Sequence, residues 1–292
     1  MEQRPEKHRV SVSGILKHLG VSRSGYRAWL QRTPSATEKR KKSIKEQIQK
    51  IYDQFHQVYG APKIAAELWK VGEVISIKTV GNYMREMGLR AHWVRPYTHT
   101  TIHPDFSHSL QNILDEQFNP DTPNTVWVSD ITYIWTCEGF VYLTSIMDLY
   151  SRRIISWVLS RTLEAVHVVE AVEKARKARP IDQPLIFHSD RGCQYVSERF
   201  IEATEGMINS YSKKAFPWDN ACIESFHALM KREWIHRFKI LNYSHAYKLV
   251  FEYIETFYNT VRSHSYCGYL SPAEYEEEYS RSLEEIACEV AS

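Results

Sequence analysis

Three acidic side chains stand in this sequence where an acid is costly or conspicuous. Asp130 lies inside the apolar run VWVSDITYIW, with Trp127 and Val128 before it and Ile131 and Ile134 after it. An unpaired charge in such a strand is strongly unfavourable, so Asp130 demands a partner or a metal ion. Asp190 closes LIFHSD, where a strand of buried character gives out into Arg191 and Gly192. A strand end holds the backbone while the loop behind it opens to a ligand. Glu224 sits in PWDNACIESFHALMKREW; if Asn220 caps a helix there, Glu224, His227, Ala228 and Lys231 follow at i, i+3, i+4 and i+7, a single stripe. Taken singly, each residue also has a plain structural reading. Asp190 and Asp148 would shape turns, Asp219 and Asn220 would cap a helix, Lys231 would be solvated, and His188 would pack or tune the site.

As a set the acids point to chemistry. Three carboxylates brought close repel one another and drive their pKa values upward. A divalent cation removes that conflict, and an all-oxygen donor set selects Mg²⁺ or Mn²⁺ rather than zinc. Two ions about 3.5–4 Å apart can activate an attacking oxygen and stabilise a leaving one in an in-line phosphoryl displacement. Convergence of Asp130 and Asp190 requires that their two strands be neighbours.

The elements that must position these acids follow from the pattern. NTVWVSDITYIW, GFVYLTSIMDLYS and RRIISWVLS read as three strands, then TLEAVHVVEAVEKARKAR as a helix, PLIFHS as a strand, SERFIEATEG as a helix, INSYS as a strand, and a long helix from near Asn220. That order implies an α/β fold, a mixed sheet flanked by helices. Upstream, residues 10–32 read as two short helices, the first packing through Ile15, Leu16 and Leu19 and stopping at Gly20. Ser22 would cap the second, with Tyr26, Trp29 and Leu30 inward and Arg23, Ser24 and Arg27 outward. From Glu38 an amphipathic helix carries Ile44, Ile48, Ile51, Tyr52 and Phe55. A second two-helix unit follows, opened by Pro62, turned at Gly72, capped by Ser76 and ended at Gly88. In its last helix Lys78, Asn82 and Arg85 share the face opposite Val80 and Met84, where they could meet phosphates and base edges. Residues 91–123, with four prolines and no clear periodicity, read as a linker. The expected division is therefore 1–34 and 35–90 for the two helix-turn-helix segments, 91–123 for the linker, 124–240 for the catalytic core and 241–292 for a C-terminal helical extension.

The net charge of +2 conceals a segregation. Residues 1–100 hold 19 Lys and Arg against 8 Asp and Glu, and the remainder 18 against 27. A basic front suits a polyanion, and an acidic back suits carboxylate-bound metal. No apolar run is long enough for a membrane span, the first ten residues have no apolar core of a signal peptide, and the five cysteines never form a CxxC pair. A cytoplasmic, nucleoid-associated protein with no membrane partner is expected.

WVSDITYI, LIFHSDRGCQY and DNACIESFHALMKREW resemble the three blocks of the retroviral-integrase-type catalytic core, a ribonuclease-H-like fold with a DDE triad. The combination is most similar to the second-reading-frame transposases of the IS-three group of bacterial insertion sequences. GVSRSGYRAWLQR and YGAPKIAAELWKVGEVISIKTVGNYMREMGL resemble that family's small all-α DNA-binding segments. FYNTVRSHSYCGYLSPAEYE resembles its C-terminal block, with Tyr258, Asn259, Arg262 and His264 at the matching places. The likeness covers nearly the whole chain. The spacer between Asp190 and Glu224 is slightly short for the family, and SKKAFPWDN lacks the glycine common after its basic pair.

What the resemblance implies is a DNA strand-transfer enzyme with Asp130, Asp190 and Glu224 as catalytic metal ligands, Asp130 bridging two Mg²⁺ ions for which Mn²⁺ can substitute. Arg23, Arg27, Lys78, Asn82, Arg85 and Lys231 would contact double-stranded DNA, both terminal inverted repeats and target. A homo-oligomer on DNA and a frameshift fusion with an upstream reading-frame protein are further expectations. Three rivals stand beside this reading: a catalytically silent, transposase-derived DNA-binding regulator, a nuclease that cuts without joining, and a recombinase using Tyr133, Tyr142 or Tyr258.

Overall fold

The computed structural model describes residues 12–91, 110–213 and 217–290. Residues 92–109 of the expected linker, and Lys214, Ala215 and Phe216 of the short spacer, lie outside the described residues.

Helices α1 (Val12–His18) and α2 (Arg23–Leu30) turn through Gly20, whose φ of +68° a side chain would resist. Ser22 Oγ accepts the Gly25 amide at 3.0 Å, the expected N-cap. The expected apolar packing differs: Leu16 is buried, whereas Ile15, Leu19, Trp29 and Leu30 are 44–67% exposed. Two short helices have too little facing area to cover both apolar stripes.

Helix α3 (Ala36–Gln54) begins in a capping box between Ser35 and Glu38. It packs with α4 (Ala61–Lys70) and α5 (Ile77–Glu86) through Ile44, Ile48, Ile64, Leu68, Val80 and Met84. Ser76 caps α5, accepting the Thr79 amide at 3.1 Å. This unit is fastened to the rest of the chain: the Ser263 amide donates to Tyr59 Oη at 2.8 Å, and Arg237 donates to the His56 carbonyl at 2.6 Å.

Five strands follow: β1 (Val126–Thr136), β2 (Gly139–Asp148), β3 (Ile154–Ser160), β4 (Ile186–Ser189) and β5 (Ile208–Tyr211). They lie in the order β3-β2-β1-β4-β5, the first three antiparallel and β1, β4 and β5 parallel. The parallel pairs need crossovers, supplied by α6 (Ala165–Ala178) before β4 and α7 (Glu198–Ala203) before β5. Side chains of β1 alternate between two cores. Val126, Val128 and Ile134 join the core shared with α8 (Ala221–Glu233) and α9 (Tyr243–Phe251), whereas Trp127 and Ile131 join Val168, Val172 and Phe200 of α6 and α7. Residues 111–114 run along β5: the Ile113 and Leu114 amides donate to Ser210 Oγ, and the Tyr211 amide to the Gln111 carbonyl.

The C-terminal segment acts as a buttress. After α9 the chain forms a π-helical stretch at Glu252–Tyr258 and ends in α10 (Pro272–Val290). Asn259 satisfies both backbone groups of Ile154 at the edge strand, at 3.0 and 2.9 Å. Arg262 grips Glu233, the last residue of α8, through two bonds of 2.7 and 2.6 Å, both side chains nearly sealed from water. Glu276 of α10 collects Ser151, Arg153 and Arg179.

Candidate active site

Register decides where the acids meet. On the parallel strands Val128 stands opposite His188. Asp130 and Asp190, each two residues further on, therefore reach the same level along neighbouring strands. The pairing with β4 stops at Val128, so the flank of β1 beside Asp130 is open. Helix α8 lies against this part of β1. Its first residues are tied there by Asn220, whose Nδ2 donates to the Ser129 carbonyl at 3.1 Å. Asn220 occupies the N-cap position but makes no side-chain cap bond, so its amide serves the strand rather than the helix end. Asp219 is likewise no cap; its Oδ2 accepts the Lys213 amide at 2.6 Å.

The stripe of α8 faces the acid on β1. His227 Nδ1 lies 3.2 Å from Asp130 Oδ2, and its Nε2 lies 3.2 Å from Ser145 Oγ on β2. A buried imidazole thus spans Asp130 and Ser145 and fixes the carboxylate's orientation. Asp190 is fixed differently, its Oδ1 accepting the Gly192 amide at 2.9 Å. Gly192 does not require a positive φ; a β-carbon there would lie 2.9 Å from Asp190 Oδ1 and 3.0 Å from Gln194 Oε1. Glycine at 192 leaves room for the carboxylate, rather than for a sharp turn.

Charge links the three acids. Partial desolvation, then the charges of Asp130 and Asp190, push the Glu224 carboxyl up to about 7. The buried Tyr195 hydroxyl, 2.8 Å from Ser129 Oγ, is held far above its ordinary range by burial and by the same two aspartates. Among the described residues no three His, Cys, Asp or Glu side chains are drawn together closely enough to hold an ion as they stand. The donor chemistry nevertheless suits one: the two aspartate charges oppose ionisation of Glu224, and a hard cation would remove that opposition.

Lys231 lies with its Nζ 4.4 Å from the centre of the Tyr133 ring. Burial lowers its pKa, and Asp130 opposes the shift. His188 takes the packing role: fully buried, it bonds Ser210 and Ser212 through its two ring nitrogens, and burial pushes it down to about 4. Asp148 is also structural, buried and accepting the Asn124 and Tyr150 amides. The remaining candidates are not gathered at this site. Arg23 and Arg27 are exposed on α2; Lys78, Asn82 and Arg85 are exposed on α5, where Arg85 donates to Asn82 Oδ1 at 2.6 Å. Residue reasoning placed His227 on the α8 stripe but missed its contact with Asp130. A histidine three positions after the acid, on the face turned toward the strands, was the available signal.

The sheet order, the flanking helices and the acid-lined open edge define an integrase core, carried behind a helix-turn-helix-like unit. The family described as "Integrase core domain" matches residues 120–213, and a second family of the same description matches residues 205–272. An "HTH-like domain" family matches residues 39–97. Transposase InsF for insertion sequence IS3A of Escherichia coli (strain K12) is 34% identical over 277 residues, 93% of this chain and 96% of that protein. The insertion element IS600 uncharacterized 31 kDa protein of Shigella sonnei is 34% identical over 265 residues, 89% of this chain and 96% of that protein. Among solved structures, the HTLV-2 integrase catalytic core domain in complex with magnesium overlaps 53% of this chain and 98% of that one, at 15% identity and a TM-score of 0.41. The chain belongs to the IS3 family of insertion-sequence transposases, enzymes of the DDE polynucleotidyl transferase type. No described helix is long and apolar enough to cross a membrane.

Proposed function

We propose that this chain cuts DNA at the ends of an element and joins the freed end to a second strand, using Asp130, Asp190 and Glu224 as its catalytic acids. One observation carries the reading: the β1–β4 register sets two aspartates level at an open strand edge, and both raise the pKa of a glutamate on the facing helix. In the first step water attacks the phosphodiester and the P–O3′ bond breaks, leaving a 3′-OH and a 5′-phosphate. In the second, that 3′-OH attacks another phosphodiester; a new P–O bond forms and a second 3′-OH leaves. Bound to the three carboxylates, two Mg²⁺ or Mn²⁺ ions would neutralise charge at the attacking and leaving oxygens.

The chain's own groups prepare that site. His227 and Ser145 hold Asp130, the Gly192 amide holds Asp190, and Asn220 seats the start of α8 on β1. Glu224, its carboxyl raised to about 7, would be held in its ionised form by a divalent cation bound among the three carboxylates. Arg23, Arg27, Lys78, Asn82 and Arg85 supply duplex contacts from the helical segments in residues 1–34 and 35–90, and Lys231 reaches a phosphate beside the acids. Residues 91–123 connect these segments to the core at 124–240, which residues 241–292 buttress. The working form is a homo-oligomer on inverted-repeat and target DNA, fused to an upstream reading-frame protein, in the bacterial cytoplasm at the nucleoid.

The test is a cleavage and joining assay on end DNA with Mg²⁺, Mn²⁺ or EDTA, comparing the parent with Glu224→Gln. Metal-dependent nicks and joined products that vanish in the variant support the proposal. Products that persist in Glu224→Gln overturn the assignment of the triad. Specific binding without cleavage, even with the upstream protein fused, favours a silent regulator.

A further inference from the structure

Beyond Asp130 the same strand carries a group of aromatics that neither core absorbs. Tyr133 and Trp135 on β1 and Phe140 on β2 are 44%, 64% and 48% exposed. Trp135 and Phe140 are register partners, and their rings meet edge to face at 4.8 Å; Tyr133 and Phe140 meet likewise at 5.3 Å. The strands fix their backbones, so the rings form a preorganised surface at low entropic cost.

The surroundings are cationic. Lys231 sits over the Tyr133 ring and feels the charge of Asp130, so it bridges the acids and the aromatics. Lys239 is exposed on the segment that the hairpin turn grips through a Cys137 amide bond to the Ile240 carbonyl. Glu138, the acid at the turn, is paired with Arg161 at 3.8 Å. At about 3.3 Å per strand residue, Tyr133 lies roughly 10 Å and Trp135 roughly 17 Å along β1 from Asp130. Alternation turns both rings to the face of β1 opposite Asp130, and Lys231, near both Asp130 and the Tyr133 ring, links the two faces beyond the point where pairing with β4 stops.

We propose that Trp135 and Phe140 form a stacking platform for unpaired DNA bases on the strand beyond the acids, with Lys231, over the Tyr133 ring, engaging the backbone between platform and acids. It rests on the strand-transfer reading for its place in the reaction, but not for its ligand: every base has a face that an exposed ring can stack on, whatever the sequence. An exposed aromatic group flanked by lysines fits single-stranded nucleic acid better than an apolar protein partner, which would leave those charges unmatched.

The test uses the full chain and a labelled dT12 oligonucleotide, with affinity read by fluorescence anisotropy for the parent, Trp135→Ala, Trp135→Leu, Trp135→Phe and Phe140→Ala. Mass is recorded in parallel. Loss of about tenfold or more in the Ala and Leu variants, with Trp135→Phe within about threefold of the parent, supports the platform. A parent that does not bind dT12, or a Trp135→Leu protein that binds as tightly as the parent, overturns it. So does weakened binding that tracks loss of a dimer, because that makes the patch a protein interface. If aromatic-dependent dT12 binding persists while the parent neither nicks nor joins end DNA, the platform stands and the strand-transfer reading fails.

Discussion

Replacing Arg262 with methionine tests how the C-terminal segment supports the helix that carries Glu224. Arg262 is 4% exposed and Glu233 6% exposed, and two bonds join them at 2.7 and 2.6 Å. Each strengthens the other's charged form: the guanidinium holds Glu233 below its usual range against burial, and Glu233 holds the Arg262 pKa higher still. Removing the guanidinium leaves a buried carboxylate still accepting the Tyr253 hydroxyl at 2.8 Å but without its cationic hydrogen-bond donor. Breaking a buried pair from one side costs about 3–5 kcal/mol, a large part of the roughly 5–15 kcal/mol that holds a protein folded. The corresponding fall in Tm is roughly 6–20 °C. Urea titration followed by tryptophan fluorescence and circular dichroism gives the free energy. The Arg262→Met/Glu233→Met double variant is expected to recover most of the loss, because no unpaired charge is left behind. An Arg262→Met cost below about 1 kcal/mol, or a double variant as unstable as the sum of the singles, refutes the buttress.

Three further outcomes are expected. Gly192→Ala puts a β-carbon 2.9 Å from Asp190 Oδ1, so the carboxylate must turn and release the Gly192 amide; cleavage should fall about tenfold or more with the fold retained, and full activity sinks this account of the glycine. His227→Gln should shift the Mg²⁺ dependence of cleavage to about 10–100-fold higher concentration, since Asp130 loses its orienting partner; an unchanged metal titration contradicts that role. His188 is depressed from 6.5 to about 4 in the folded protein, so its stabilisation is complete above pH 6.5 and drains as pH falls toward 4. The loss amounts to about 3 kcal/mol, and His188→Gln should flatten the slope of unfolding free energy over that window; an equally steep slope rules His188 out as its source.

Local pattern carried much of this molecule. β-branched and aromatic runs separated by a Cys-Glu-Gly turn and a Ser-Arg-Arg break made β1, β2 and β3 legible, glycines and Ser22 and Ser76 marked helix ends, and an acid within or just after an apolar strand singled out Asp130 and Asp190. These features depend on neighbours within a few residues, where backbone preference and side-chain periodicity act. The tertiary structure decided what depends on pairing across the chain. Asn220 reaches Ser129, His227 reaches Asp130, and Arg262 reaches Glu233, contacts spanning 91, 97 and 29 residues. The same holds for the exposed stripes of α1 and α2, amphipathic in sequence but without enough facing surface to be buried. Helix period and strand alternation say which face a residue occupies; only the packed sheet and its register say what that face meets.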